Sequence, residues 1–160
     1  MKKASQAIDT VIKYFLVILI AVISVLGLYQ VIMRFVFNNS SSWSEEAIRF
    51  LFVWASCVGG AIGIKEHIHI GIDVVVNLLP AKWKNYVGIA VLLLLCLFGA
   101  VMIKYGFALT LKTAIQKSPA LQLPMCYVYA AIPTLGVLCI YYSICEMIRD
   151  IRANRAKKEG

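Results

Sequence analysis

Residues 14–33 read YFLVILIAVISVLGLYQVIM, 20 consecutive positions without a charged side chain, bounded by Lys13 and Arg34. As a helix this run rises about 30 Å, the thickness of a bilayer's hydrocarbon core. No water reaches backbone N–H and C=O groups there, so a lone segment must satisfy them internally, as an α-helix. The stretch therefore predicts a transmembrane helix. Tyr14 at one end and Phe35 and Phe37 at the other put aromatic rings at the two interfaces. Lys2 and Lys3 ahead of it imitate a signal peptide. The run is too long for a signal h-region and no small-x-small cleavage site follows, so a retained first helix is expected.

Working outward, Asn38-Asn39-Ser40-Ser41-Ser42 is short, polar turn chemistry, which predicts that the next span returns antiparallel beside the first. Ser42-Trp43-Ser44-Glu45 fits a capping box, with the Ser42 hydroxyl taking the Glu45 N–H. Glu45 and Glu46 lie in the first turn, where the helix dipole favours negative charge, and Arg49 follows on their face. This span runs from Trp43 to about Ile64. A third holds 19 uncharged residues, Asn85 to Ile103, and continues to about Leu111, with Lys104 snorkelling to the far interface. A fourth holds 21, Met125 to Cys145. Pro124 suits its first turn, while Pro133 inside it deprives the Tyr129 carbonyl of its partner and predicts a kink.

Residues 65–80, KEHIHIGIDVVVNLLP, are too short and polar to span. Glu66, His69, Asp73 and Asn77 form one helical face, and Ile68, Ile72, Val75, Val76 and Leu79 the other. That fits an amphipathic interfacial helix over about 66–79, stopped by Pro80. The alternation also fits a strand, but a single strand in lipid leaves its backbone unpaired. Lys82-Trp83-Lys84 reads as an interfacial anchor. The expected fold is an all-α membrane protein with one domain, residues 1–160. Its four transmembrane helices cover about 14–36, 43–64, 85–111 and 124–146, with the short interfacial helix between the second and third.

Composition agrees. The chain is 61% hydrophobic and 15% charged, against about a quarter charged in ordinary soluble domains. The net charge of +8 could point to nucleic acid, but the basic residues sit at the ends of apolar runs, which favours membrane lipids and no nucleic acid. With four spans, eleven Lys and Arg fall on the side of both termini and five on the other, which places the N- and C-termini in the cytoplasm. The five cysteines lack C-x-x-C spacing and read as small buried hydrophobes.

Catalytic chemistry is hard to find. His67 and His69 alone cannot complete a metal site, and on a helix they point about 200° apart. A bundle haem would need histidines inside facing spans. No ionisable residue lies near the centre of a span, as a self-contained ion-coupled transporter usually requires. Phosphate-binding, nucleophile-elbow and zinc-protease motifs are absent. The expectation is no enzyme, no catalytic residue, no metal and no cofactor. Arg34, Glu45, Glu46 and Arg49 form a charged cluster, readable as an ion-pair network closing the hairpin or as a docking surface. Gly59, Gly60 and Gly63 give span two a small-residue face, for packing inside the chain or against another subunit.

Three stretches carry a family resemblance. Gln30-Val-Ile-Met-Arg34-Phe-Val-Phe37-Asn38 with Trp43-Ser-Glu45-Glu46-Ala-Ile-Arg49 resembles the small membrane subunit of tripartite ATP-independent periplasmic (TRAP) transporters. Gly63-Ile-Lys65-Glu-His67-Ile-His69-Ile-Gly-Ile-Asp73 and Leu123-Pro124-Met125-Cys-Tyr127-Val-Tyr129-Ala-Ala-Ile-Pro133 are similar to its next motifs. The resemblance implies a bacterial inner-membrane transport role in sodium-coupled symport of an organic acid, of the dicarboxylate or sialic acid class. It implies two partners, a large membrane subunit moving as an elevator and a periplasmic substrate-binding protein. The small subunit would anchor the stationary part of the former and help to dock the latter. Docking candidates are Arg34, Trp43, Glu45, Glu46, Arg49, His67 and Asp73, with Lys82, Trp83 and Lys84 as interfacial anchors. Some members fuse both membrane subunits; the basic tail at this chain's end predicts a separate one. The rival reading is a membrane anchor for another inner-membrane complex.

Overall fold

The computed structural model describes residues 2–39, 41–65 and 81–156. Helix α1 covers Lys2–Phe35, α2 Ser42–Lys65, α3 Ala81–Lys112, α4 the single turn Cys126–Tyr129, and α5 Ala131–Ala156. Among the described residues, four stretches are long and apolar enough to cross a membrane: Gln6–Phe35, Ser42–Ile64, Val87–Lys112 and Cys126–Arg149. The all-α, four-span fold expected from the apolar runs is therefore present. The interfacial helix expected at 66–79 lies outside the described residues, and so do His67 and Asp73.

Helix ends depart from the apolar runs for physical reasons. α1 starts at Lys2, well ahead of Tyr14. Extending a formed helix adds one hydrogen bond per residue fixed, so helix propagates past the last lipid-facing residue until something stops it. α3 starts at Ala81, immediately after Pro80, so Lys82, Trp83 and Lys84 are in its first turn, ahead of the apolar stretch that begins at Val87. The fourth span is two pieces. Its helix is interrupted at Ala130, between α4 and α5, and Pro133 falls in the first turn of α5, where no intrahelical N–H is needed. Pro124 precedes α4 and pairs with Lys117 in an isolated antiparallel bridge.

The chain forms two compact units: Met1–Gly59 with Ala108–Ala131, and Gly60–Phe107 with Ile132–Gly160. In the first, α1 and the start of α2 lie antiparallel. Phe15 meets Trp54 edge to face with centroids 6.4 Å apart, and Tyr29 meets Trp43 at 5.7 Å. A Cβ on Gly59 would stand 3.9 Å from the Leu16 methyls, ordinary contact distance.

In the second unit, α3 and α5 approach far more closely. A Cβ on Gly136 would stand 2.6 Å from the Gly99 carbonyl oxygen and 2.8 Å from Ile103 Cγ1. One on Gly99 would stand 2.7 Å from Ile140 Cγ1, and one on Gly106 2.8 Å from Pro133 Cδ. Only hydrogen at these positions lets the backbones touch, the small-residue contact typical of helices in lipid. The glycine face singled out on α2 is used differently: Gly60 is exposed, and an added Cβ there meets nothing within 4 Å among the described residues.

Candidate functional site: the α1–α2 corner and the 113–125 loop

The corner begins where α1 runs out of apolar sequence. Asn38 takes the left-handed conformation (φ 50°), which Asn tolerates better than most residues. The Asn39 N–H then returns to the Met33 carbonyl at 3.0 Å. Ser42 is already helical, so the capping box expected from its hydroxyl does not form, and the Ser41 hydroxyl that precedes it is buried without a partner among the described residues. The Ser41 carbonyl takes the first helical N–H, from Glu45, at 3.3 Å. The Ser44 hydroxyl, wholly buried, donates to the same carbonyl at 2.9 Å.

The two acids of the first turn take different positions. Glu45 is exposed, whereas Glu46 is only 6% exposed. The Glu46 carboxylate reaches the loop between α3 and α4. There the N–H groups of Ala120 and Leu121 both donate to its Oε2, at 2.8 and 2.9 Å. Arg49, one turn along α2, adds coulombic attraction to the carboxylate.

The loop explains why two amides need an outside acceptor. Ser118 to Gln122 is a single tight turn, closed by the Gln122 N–H on the Ser118 carbonyl at 3.2 Å and the Ser118 N–H on the Leu123 carbonyl at 2.9 Å. Pro119 has no N–H, and Ala120 and Leu121 come before the turn's first internal donor, Gln122. Their amides are orphans of the kind found at a helix start. An orphaned buried N–H costs about 1–3 kcal/mol, and a carboxylate is a strong acceptor for it. The Met125 N–H on the Gln116 carbonyl, 2.8 Å, closes the base of the loop. Gln122 is left-handed (φ 56°), where the chain reverses. A second tie follows in α4: Trp54 Nε1 donates to the Tyr127 carbonyl at 3.0 Å.

Beside the Glu46 contact lies an open cleft of about 460 Å³, lined by Tyr29, Met33, Asn39, Ser41, Ser42, Trp43 and Ala120. Of the docking candidates, Arg34, Trp43, Glu45 and Arg49 are exposed around this corner, while Glu46 is turned inward onto the loop. Lys82, Trp83 and Lys84 belong to the start of α3. The loop partners Ala120 and Leu121, and Trp54, were not anticipated. Two adjacent acids where one would serve the helix dipole, and Pro119 followed by two donors, were the available signals. Among the described residues no three metal-ligating side chains gather, and all five cysteines are free thiols.

Four apolar crossings among the described residues define a multi-pass helical membrane protein. The sequence matches the family described as tripartite ATP-independent periplasmic transporters, DctQ component, over residues 23–153, and the chain belongs to that family. It is a transporter component and not an enzyme. It is 39% identical over 93 residues to the C4-dicarboxylate TRAP transporter small permease protein DctQ of Rhodobacter capsulatus, covering 57% of this chain but only 41% of that protein's length. It is 23% identical over 156 residues to a putative TRAP transporter small permease protein of Haemophilus influenzae, covering 97% of this chain and 94% of the relative. It is also 28% identical over 115 residues to the sialic acid TRAP transporter permease protein SiaT of Haemophilus influenzae, 70% of this chain and 18% of that protein.

Proposed function

We propose that this chain is the small permease subunit of a sodium-coupled TRAP transporter that imports an organic acid of the dicarboxylate or sialic acid class. It packs against the large membrane subunit and holds the stationary part of an elevator in the bilayer. The observation that carries the reading is its alignment with less than a fifth of SiaT, a sialic acid TRAP permease: the unit it represents works beside a far larger permease body. The long apolar faces of α1 and α3, only 6% buried within the chain against 28% and 33% for the other two spans, support such a neighbour. Lipid or a membrane partner can cover them without hydrophobic cost.

In a bacterial inner membrane, the positive-inside count supports an orientation with both termini cytoplasmic and the α1–α2 corner and 113–125 loop outward. Arg34, Trp43, Glu45 and Arg49 then lie on the side of the binding protein. The test is purification in mild detergent followed by reconstitution. A large polytopic chain should copurify, and uptake should need both chains, the binding protein and an inward sodium gradient. Uptake by this chain alone, or purification with bound haem in place of a large permease, would overturn the reading.

A further inference from the structure

We infer that Lys104 forms an ion pair inside the bilayer with a carboxylate of the large membrane subunit, and that the outward face of α3 is the face this subunit covers. The two least buried spans differ in one respect. Between Lys13 and Arg34 the first holds no charged residue, so lipid can cover it at no electrostatic cost. The third carries an ammonium within its apolar stretch, because Lys104 lies about 12 Å of helix short of the end at Lys112. Lys104 is exposed and turned away from the chain's own packing. By the helical repeat it stands about 140° or more around α3 from Gly99 and Gly106, the glycines that meet α5.

The surroundings of Lys104 fit a helix better than lipid. Ala90, Leu94, Leu97, Val101 and Lys104 are all exposed and follow one another at alternating steps of four and three, the seam along which a second helix packs. Snorkelling to the far interface runs against the helix. Side-chain bonds lean toward a helix's N-terminus, so the lysine stem leaves α3 pointing away from Lys112. Among the described residues its ammonium meets the neighbouring Tyr105 ring, 5.8 Å from the centroid, and no carboxylate. An aromatic face offsets only part of the cost of an ion in hydrocarbon, and ionic side chains at such depth characteristically pair with an opposite charge. A helix seated along this seam and bearing an acid supplies both the apolar contact and the counter-charge. An acyl chain supplies only the first.

This inference rests on the proposed function, which supplies the large subunit, and the experiment keeps the two apart. The complete purified transporter is treated with dicyclohexylcarbodiimide, which enters apolar regions, activates carboxyl groups and lets an amine in contact form an amide. Mass spectrometry should find that amide between Lys104 and an Asp or Glu of the large subunit. Lys104→Glu, which sets like charges together, should lower the yield of copurified large subunit by about tenfold or more, while Lys104→Arg keeps it. Exchanging the crosslinked acid for lysine should rescue Lys104→Glu, a recovery that lost packing alone would not give. Three results would overturn the ion pair while leaving the small-subunit reading standing: an amide to a second copy of this chain, full assembly of Lys104→Glu, or no amide with a bound phospholipid that Lys104→Glu releases. Failure of the large subunit to copurify with the wild-type chain would overturn that reading, and this inference with it.

Discussion

The two compact units of this protein are held by opposite means. In the one containing the α1–α2 corner, a buried carboxylate gathers backbone donors from a loop, and an indole N–H ties down the helix turn that follows. In the other, α3 and α5 meet through glycines, with no polar side chain at the closest approach. The difference tracks the surroundings. Where backbone leaves regular helix, unpaired amides must be satisfied one by one, and directional hydrogen bonds do this. Where two helices cross in lipid, every backbone group is already paired, and the remaining gain is close van der Waals contact.

The contrast can be broken at several points. The largest effect is expected at Gly136→Leu, because its Cβ alone would already stand 2.6 Å from the Gly99 oxygen. Thermal unfolding in detergent should show a loss of about 3 kcal/mol or more, the upper range for overpacking. A wild-type melting curve would mean that the glycine crossing does not hold α3 and α5. Glu46→Ala comes next. Amide exchange at Ala120 and Leu121 should rise by roughly tenfold or more, as expected when a hydrogen bond to a charged acceptor is lost, and protease should cut the loop. The α3–α5 contact should be unaffected. Glu46→Gln should stay near wild type because both amides converge on one oxygen.

Trp54→Phe keeps a ring against Phe15 but loses the bond to the Tyr127 carbonyl, and about 1 kcal/mol is expected. If unfolding is unchanged, that bond is dispensable. Gln122→Gly relieves a left-handed backbone at the cost of one side-chain bond to the Pro119 carbonyl. It should stabilise by no more than about 1 kcal/mol. Smallest of all, Gly60→Ala should be neutral or stabilising by about 0.5 kcal/mol, since nothing crowds the site and alanine is the better helix former. A clear destabilisation would show that this glycine has a close neighbour after all.

Legibility in the sequence was uneven. The four crossings and the antiparallel return at Asn38–Ser42 could be read because hydrocarbon thickness and backbone satisfaction act on contiguous residues. The importance of the acidic pair on α2 was visible too, but its division of labour was not. Glu45 and Glu46 are neighbours in sequence, and only the position of Ala120 and Leu121, more than seventy residues away, decides that Glu46 turns inward. The glycines show the same limit: the adjacent pair on α2 drew notice, while the close crossing uses Gly99 and Gly136 on separate helices.

The sequence by itself therefore determined the solvent, the number of crossings and the places where charge could lie. Each follows from the free energy of moving one contiguous stretch between water and lipid. Tertiary structure alone decided which carboxylate satisfies a distant turn and which glycines let two backbones touch. Those outcomes depend on distances between segments that share no local pattern, and a difference of one ångström decides between contact and clash.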